Sequence, residues 1–352
     1  MLLPPSGEGR DEGVHSAIPL TYFEFGTLAA MQCFIGHEVE VAILEVGLGG
    51  RLDAVNIFDS DCAVVASVDI DHTDYLGETR EQIAFEKAGI FRKDKVAICA
   101  DGDVPQAIRD HAQQIGAELW CIGREFAFEI GNTDTPLPLS RPNGHPLPLA
   151  GEGKVRGQWS YRSKTGARNA LPYPALRGAF QLHNASAALA ALDALKDRLP
   201  VSMEAVRRGL AEVQLAGRFQ IVPGRPQLIL DVAHNPHAAR SLAQNLADMP
   251  PARTFAVFAM LKDKDMAGVA GALDAQIDIW LVAGIDAPRG ASAAELAQVL
   301  QDTGVRGDIQ AFPDVGATLR YAYNAAGEND RISAFGSFYT VAQAMTAKGL
   351  KF

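Results

Sequence analysis

The chain has 352 residues, 48% of them hydrophobic and 21% charged, with a formal net charge of −10 at pH 7. That length allows two domains with their own cores, and the acidic balance excludes a general nucleic-acid binder, which needs a basic surface. No apolar run has the length of a membrane span and no charged-then-apolar leader is present, so a cytoplasmic protein without a membrane partner is expected.

In chain order, residues 1–15 open with Leu2–Gly13 (LLPPSGEGRDEG), too rich in Pro, Gly and charge for a periodic element, and read as a non-native start. EVAILEVGL (40–48) and DCAVVASVDID (61–71) are β-branched apolar runs of the kind found in buried parallel strands. KVAICA (95–100) and ELWCIG (118–123) are shorter strand candidates, with helices predicted at 81–88, 105–115, 180–199 and 203–213. The segment 133–157 reads as a disordered insertion, and its PLPLAGEG (146–153) nearly copies LLPPSGEG (2–9). After Gly217-Arg218-Phe219 the alternation restarts. Strands are predicted at 227–233, 253–261, 278–284 and 331–337, and helices at 237–248, 292–303, 315–326 and 338–347. Strands alternating with helices of this length imply an α/β chain with a parallel, doubly wound sheet. The expected domains are 16–216 and 217–352. The four cysteines, Cys33, Cys62, Cys99 and Cys121, form no CxxC pair and read as buried, reduced thiols.

Three clusters in the first half carry chemistry. LEVGLGGRLDAVN (44–56) sets Glu45 at a strand's carboxyl end, where open α/β sheets bind ligands. The glycines there could equally do no more than turn the chain. DIDHTDYLG (69–77) flanks His72 with Asp71 and Asp74, a metal-ligating pattern that Thr73 or Asp74 would also satisfy as helix caps. FEKAGIFR (85–92) places Lys87 in an apolar helix end, where a surface lysine is the plain alternative.

Taken with TYFEFGTLAA (21–30), these strings resemble, in order and spacing, the folylpolyglutamate synthase/dihydrofolate synthase family, a branch of the Mur ligases. FQLHNASAALAAL (180–192), GRFQIV (217–222), LDVAHNPHA (230–238), MLKDKD (260–265), APRGAS (287–292) and GSFYTVA (336–342) extend the resemblance. It implies an N-terminal Mur-ligase-type ATPase domain, truncated here, and a C-terminal Rossmann-like doubly wound domain. It also implies ATP and two Mg²⁺ sites as cofactors, with Glu45 and His72 as metal ligands and Lys87 carbamylated to an oxygen donor for the second ion. Asn184 would face adenine, Arg218 the phosphates and Asp231 the nucleotide, while His234 would lie by the incoming glutamate. Ser337 would touch substrate or, on a plain reading, cap a helix. The implied reaction joins L-glutamate to dihydropteroate or a reduced folate through an acyl phosphate, in a monomer. Lys87, Arg218 and His234 are its implied catalytic residues.

One family feature is missing from the string. No G-x-x-x-x-G-K-[ST] occurs in the 352 residues, although such a loop cradles nucleotide phosphates. Three expectations follow: an active ligase completed by a segment outside this sequence, a catalytically impaired remnant, or another Mur-type amino-acid ligase. DHTDYLG with LDVAHNPHA favours the folate branch over the third.

Overall fold

The computed structural model describes residues 18–130, 158–178 and 180–350, so the segments 1–15 and 133–157 singled out above lie outside the described residues. The chain divides into two compact units, the first ending at Asp59 and the second beginning at Ser60.

In the first unit, helix α1 (Tyr22–Gly36) starts at a capping box. Thr21 Oγ1 accepts from the Glu24 N–H at 3.2 Å, and a Glu24 carboxylate oxygen accepts from the Thr21 N–H at 2.7 Å. The helix is apolar, yet no residue of it is buried, and Tyr22 is 94% exposed. The strand expected at 40–48 does not form: the segment lacks ladder partners among the described residues, and Ile43 is 90% exposed. A β-branched run fits a pleated surface, but it becomes a strand only when neighbours take its N–H and C=O groups. The glycine turn that follows is organised by Asp53. One of its oxygens accepts from the Gly47 and Leu48 N–H groups, each at 3.0 Å, and the other accepts from Val55.

The second unit begins with a parallel sheet of β1 (Cys62–Val65), β2 (Val96–Cys99) and β3 (Glu118–Cys121). Between them run α2 (Thr73–Leu76), α3 (Arg80–Ala88) and α4 (Gln106–Ile115). A second, antiparallel sheet of β4 (Phe126–Ile130), β5 (Trp159–Ser163) and β6 (Gly166–Leu171) was not predicted. Helices α5 (Phe180–Ala194) and α6 (Met203–Glu212) follow. Alternation fixes the packing: Ala97 and Cys99 turn toward α3 and α4, while Ile98 packs with Trp159, Tyr161 and the buried face of α5.

The six-stranded sheet then takes β7 (Gln220–Val222), β8 (Gln227–Leu230), β9 (Thr254–Phe258), β10 (Ile279–Ala283), β11 (Asp308–Phe312) and β12 (Arg331–Phe335) in the order β11-β10-β9-β12-β8-β7. All pairings are parallel except β7 with β8. Its helices are α7 (Pro236–Ala247), α8 (Met266–Leu273), α9 (Ala293–Thr303), α10 (Val315–Ala325) and α11 (Phe338–Ala347). Successive strand residues point to opposite faces. Phe258, Trp280 and Phe335 join α7, α8 and α9, whereas Val257, Leu281 and Ala334 join α10 and α11. This is the doubly wound arrangement that the sequence alternation implied. Among the described residues no helix is long and apolar enough to cross a membrane.

Candidate functional site

In the second unit the chain ends of β1 and β8 face a cavity of about 720 Å³, lined by Asp69, Asn184, Arg218, Asp231, His234 and His237 among others. Ligands of open α/β sheets bind beyond such carboxyl ends.

The loop after β1 is held from both sides. The buried Asp101 accepts the Val68 N–H at 2.7 Å, and Arg80 Nε donates to the Val68 carbonyl at 2.9 Å. Arg80 also pairs with Asp101 at 2.7 Å and Asp103 at 2.8 Å. Beyond this clamp Asp69 meets His237 Nδ1 at 2.6 Å and Arg240 at 3.0 Å, and Asp71 accepts from Asn235 Nδ2 at 2.8 Å. These contacts tie the loop to the first turn of α7. His72 occupies the N-cap position of α2 with φ +52° and makes no side-chain capping bond. Thr73 lies inside the helix and is not its N-cap. Instead His72 Nε2 stands 3.3 Å from Lys264 Nζ and 3.9 Å from Asp71. Burial opposes ionisation of Asp71. The hydrogen bond from Asn235 and the nearby His72 and Lys264 outweigh it, so its carboxyl lies below the usual value.

Lys87, in the last turn of α3, is half-buried, not the surface lysine of the plain reading. Burial pushes its ammonium down from the ordinary value, against the pull of the Asp71 carboxylate. Glu45 belongs to the first unit, where it is exposed after the extended run. Among the described residues no cluster of three or more His, Cys, Asp or Glu side chains stands assembled for a metal ion.

On the other side, the turn Gly217–Phe219 carries Arg218. Gly217 has φ +68°, and a Cβ there would lie 2.8 Å from Val232 Cγ1, so glycine is required. Phe219 also has positive φ, +43°, a strained value for a bulky residue. Asp231 supplies the compensation. One carboxylate oxygen accepts the Phe219 N–H and the other the Ala233 N–H, each at 2.8 Å. Burial raises its carboxyl above the ordinary value even so. Asp231 thus lines the cavity while fixing the turn that bears Arg218 and the one that bears His234, and it is not a helix cap. His234 Nδ1 lies 2.9 Å from the Val232 carbonyl, so Nδ1 is the donor in that bond. Pro236 starts α7 behind the N-cap Asn235, as the sequence implied.

Asn184 is exposed on α5, 3.4 Å from Gln181. Arg218 has its guanidinium 5.5 Å from the Phe338 ring and no hydrogen-bond or ion-pair partner among the described residues. Ser337 is different: it is buried, its hydroxyl accepts the Thr340 N–H at 3.0 Å and shares a 2.7 Å bond with Thr340 Oγ1, and it does not line the cavity. Ser337 therefore caps α11, as the plain reading has it. Sequence reading missed Asp69, Arg80, Asp101, His237 and Arg240. Their contacts link residues 12 to 171 positions apart; DIDHTDYLG contains Asp69 and LDVAHNPHA contains His237, but neither string marked them.

Residues 19–134 match the Mur ligase middle domain, and residues 217–338 match the Mur ligase glutamate ligase domain. The chain is 41% identical over 335 residues to the dihydrofolate synthase/folylpolyglutamate synthase of Escherichia coli K12, covering 95% of this chain and 71% of that protein. Against the Haemophilus influenzae protein of the same name it is 36% identical, covering 92% of this chain and 72% of the relative. Among solved structures, E. coli FolC in complex with DHPP and ADP superposes with a TM-score of 0.82 at 40% identity, over 95% of this chain and 72% of that one. The Yersinia pestis enzyme complexed with AMPPNP and Mn gives 0.80 at 42% identity, over 95% and 73%. Cavity, clamped loop and strained arginine turn thus sit in a scaffold shared across nearly the whole chain, which belongs to the dihydrofolate synthase/folylpolyglutamate synthase family of Mur ligases.

Proposed function

We propose that this chain ligates L-glutamate to dihydropteroate, to a reduced folate, or to both, using ATP and an acyl-phosphate intermediate. The observation that carries the reading is Arg218, a cation without hydrogen-bond partners among the described residues, at a cavity that also presents Asn184 and His234. It is supported by relatives whose structures hold ADP with DHPP, and AMPPNP with Mn and L-glutamate.

In this reading a substrate carboxylate oxygen attacks the γ-phosphorus, the bridging P–O bond breaks, and ADP leaves. The glutamate amine then attacks the acyl carbon, phosphate leaves, and the nitrogen gives up a proton. Arg218 spreads positive charge over the phosphoryl oxygens, as a guanidinium fork does well. Asn184 offers a donor and an acceptor to the edge of adenine. His234, with Nδ1 held by Val232, presents Nε2 to the glutamate amine and can take up its proton. Asp231 acts by holding both turns in place.

The residues present suit a divalent cation. His72 has no capping duty, Asp71 is an ionised carboxylate beside it, and Lys87 is desolvated toward the neutral amine that reacts with CO₂ to give a carbamate. His72 and carbamylated Lys87 would hold the ions; Glu45 joins them on family resemblance alone. When bound, such ions neutralise phosphate charge. The reading has the chain act as a cytoplasmic monomer.

The test is incubation with dihydropteroate, ATP and L-glutamate, with dihydrofolate and ADP followed by mass spectrometry. Product that needs all three reactants is expected; no product beside an active E. coli control would overturn the activity. One observation favours a second reading, binding without turnover: the 352 residues contain no Gly-Lys-Ser/Thr. In that case ATP still binds but no dihydrofolate forms.

A further inference from the structure

We infer that Phe338 is a positioning residue that holds Arg218 and His234 in register where they line the cavity. The inference rests on the reading of Arg218 as a phosphate contact.

Phe338 begins α11 and is 59% exposed, which leaves its ring open to neighbouring side chains. Its ring lies 5.5 Å from the Arg218 guanidinium carbon and 6.3 Å from the His234 ring centroid. An aromatic face attracts a guanidinium through its quadrupole and leaves the N–H fork free to bond elsewhere. A carboxylate partner would hold Arg218 more tightly but would consume that fork and cancel the charge that an anionic ligand needs. Among the described residues no carboxylate stands at hydrogen-bond or ion-pair distance from Arg218, and the buried Asp231 acts on it only through space.

The backbone beneath Phe338 is built to keep the ring in place. Gly336 has φ +113°, and a Cβ there would fall 2.4 Å from the Ala259 carbonyl oxygen, so the chain passes close against β9. Ser337 caps α11, and Thr340 Oγ1 donates to the same Ala259 carbonyl at 2.7 Å. Both anchors are buried. A rigid seat under an exposed ring shared by a cation and a histidine is the arrangement expected of a support for two ligand-facing groups.

The experiment is calorimetric titration of the full chain and of Phe338→Leu, Phe338→Tyr and Arg218→Ala with ATP and, separately, with adenosine. A support acting through Arg218 touches only the phosphate part of binding. Phe338→Leu is therefore expected to weaken ATP about two- to fivefold and leave adenosine unchanged, with Phe338→Tyr restoring the wild-type value. A general structural role would weaken both ligands and would overturn the inference. So would unchanged ATP affinity in Phe338→Leu when Arg218→Ala loses it, and that result leaves the phosphate reading standing. If Arg218→Ala itself binds ATP as the wild type does, the phosphate reading is wrong and the inference falls with it.

Discussion

Helix α1 and strand β10 are both markedly apolar in sequence, yet all five residues of β10 are buried and none of the fifteen in α1 is. The difference lies in neighbours. β10 has β9 and β11 on its two edges, with α9 against one face and α10 against the other. In the first unit Tyr22, Phe25 and Ile35 are exposed, and the run 40–48 has no ladder among the described residues. Hydropathy states what a segment gains from burial; whether it is buried depends on surfaces elsewhere in the molecule.

The largest test of this contrast is a pair of truncations read by urea denaturation. Phe258→Ala, in the centre of the six-stranded sheet, is expected to cost about 3–5 kcal/mol. Phe25→Ala, at a side chain 64% exposed, should change stability by no more than about 0.5 kcal/mol. A comparable loss from both would mean that α1 is covered in solution. Next comes the clamp below the cavity. Asp101→Ala leaves the Val68 N–H without its acceptor and Arg80 with Asp103 as its remaining carboxylate, and about 2 kcal/mol is expected, because Arg80 keeps that partner and some solvent.

Acid titration gives a third, smaller effect. Burial works against ionisation of Asp193, but bonds from Arg168, Ser163 and Tyr161 prevail and hold its carboxyl below the usual range. A carboxyl depressed in the folded state stabilises the fold above its unfolded value, near pH ~4, and this is lost as pH falls through the folded value. Denaturation midpoints followed downward from pH 5 should therefore drop less steeply in Asp193→Asn than in the wild type. Thiol reactivity is the mildest probe. Burial pushes Cys62 and Cys99 up to about 11 and raises Cys121 as well, whereas Cys33 is exposed on α1. Native protein at pH 8 should release one equivalent rapidly with a chromogenic disulfide, and four only after unfolding.

The same contrast explains how much was legible in the sequence. Strands β8, β9, β10 and β12 are continuous apolar runs bounded by turn residues, and periodicity located each of them. The hairpin β5–β6 was missed because WSYRS and GARNAL mix charge with small residues, and only Trp159, Tyr161 and Leu171 are buried. Edge strand β11 shows no buried position at all, and α8 carries Gly268 and Gly271, poor helix formers. The run at 40–48 failed in the opposite sense: its composition is that of a strand, and its pairing is absent among the described residues.

At the site, residues announced by local strings were found where a string also fixes a turn: Arg218 in GRF, and Asp231 with His234 in LDVAHNPHA. What no string could supply is contact across the fold, such as Asp69 with Arg240 or Asp71 with Asn235, and the sharing of Phe338 between Arg218 and His234. The first two arise where the loop after β1 meets α7, and the third where three turns of the six-stranded sheet come together. Ser337 is a motif serine whose hydroxyl bonds within its own helix.

The central claim is that nucleotide binds in the cavity between the ends of β1 and β8. Hydrogen exchange with and without ATP tests it most directly, because the amides concerned lie in three short turns. ATP should slow exchange at 217–219, at 231–238 and in the first turn of α5, with little change in the outer strands β10 and β11. Protection confined to other parts of the chain, or none at saturating ATP, would contradict it.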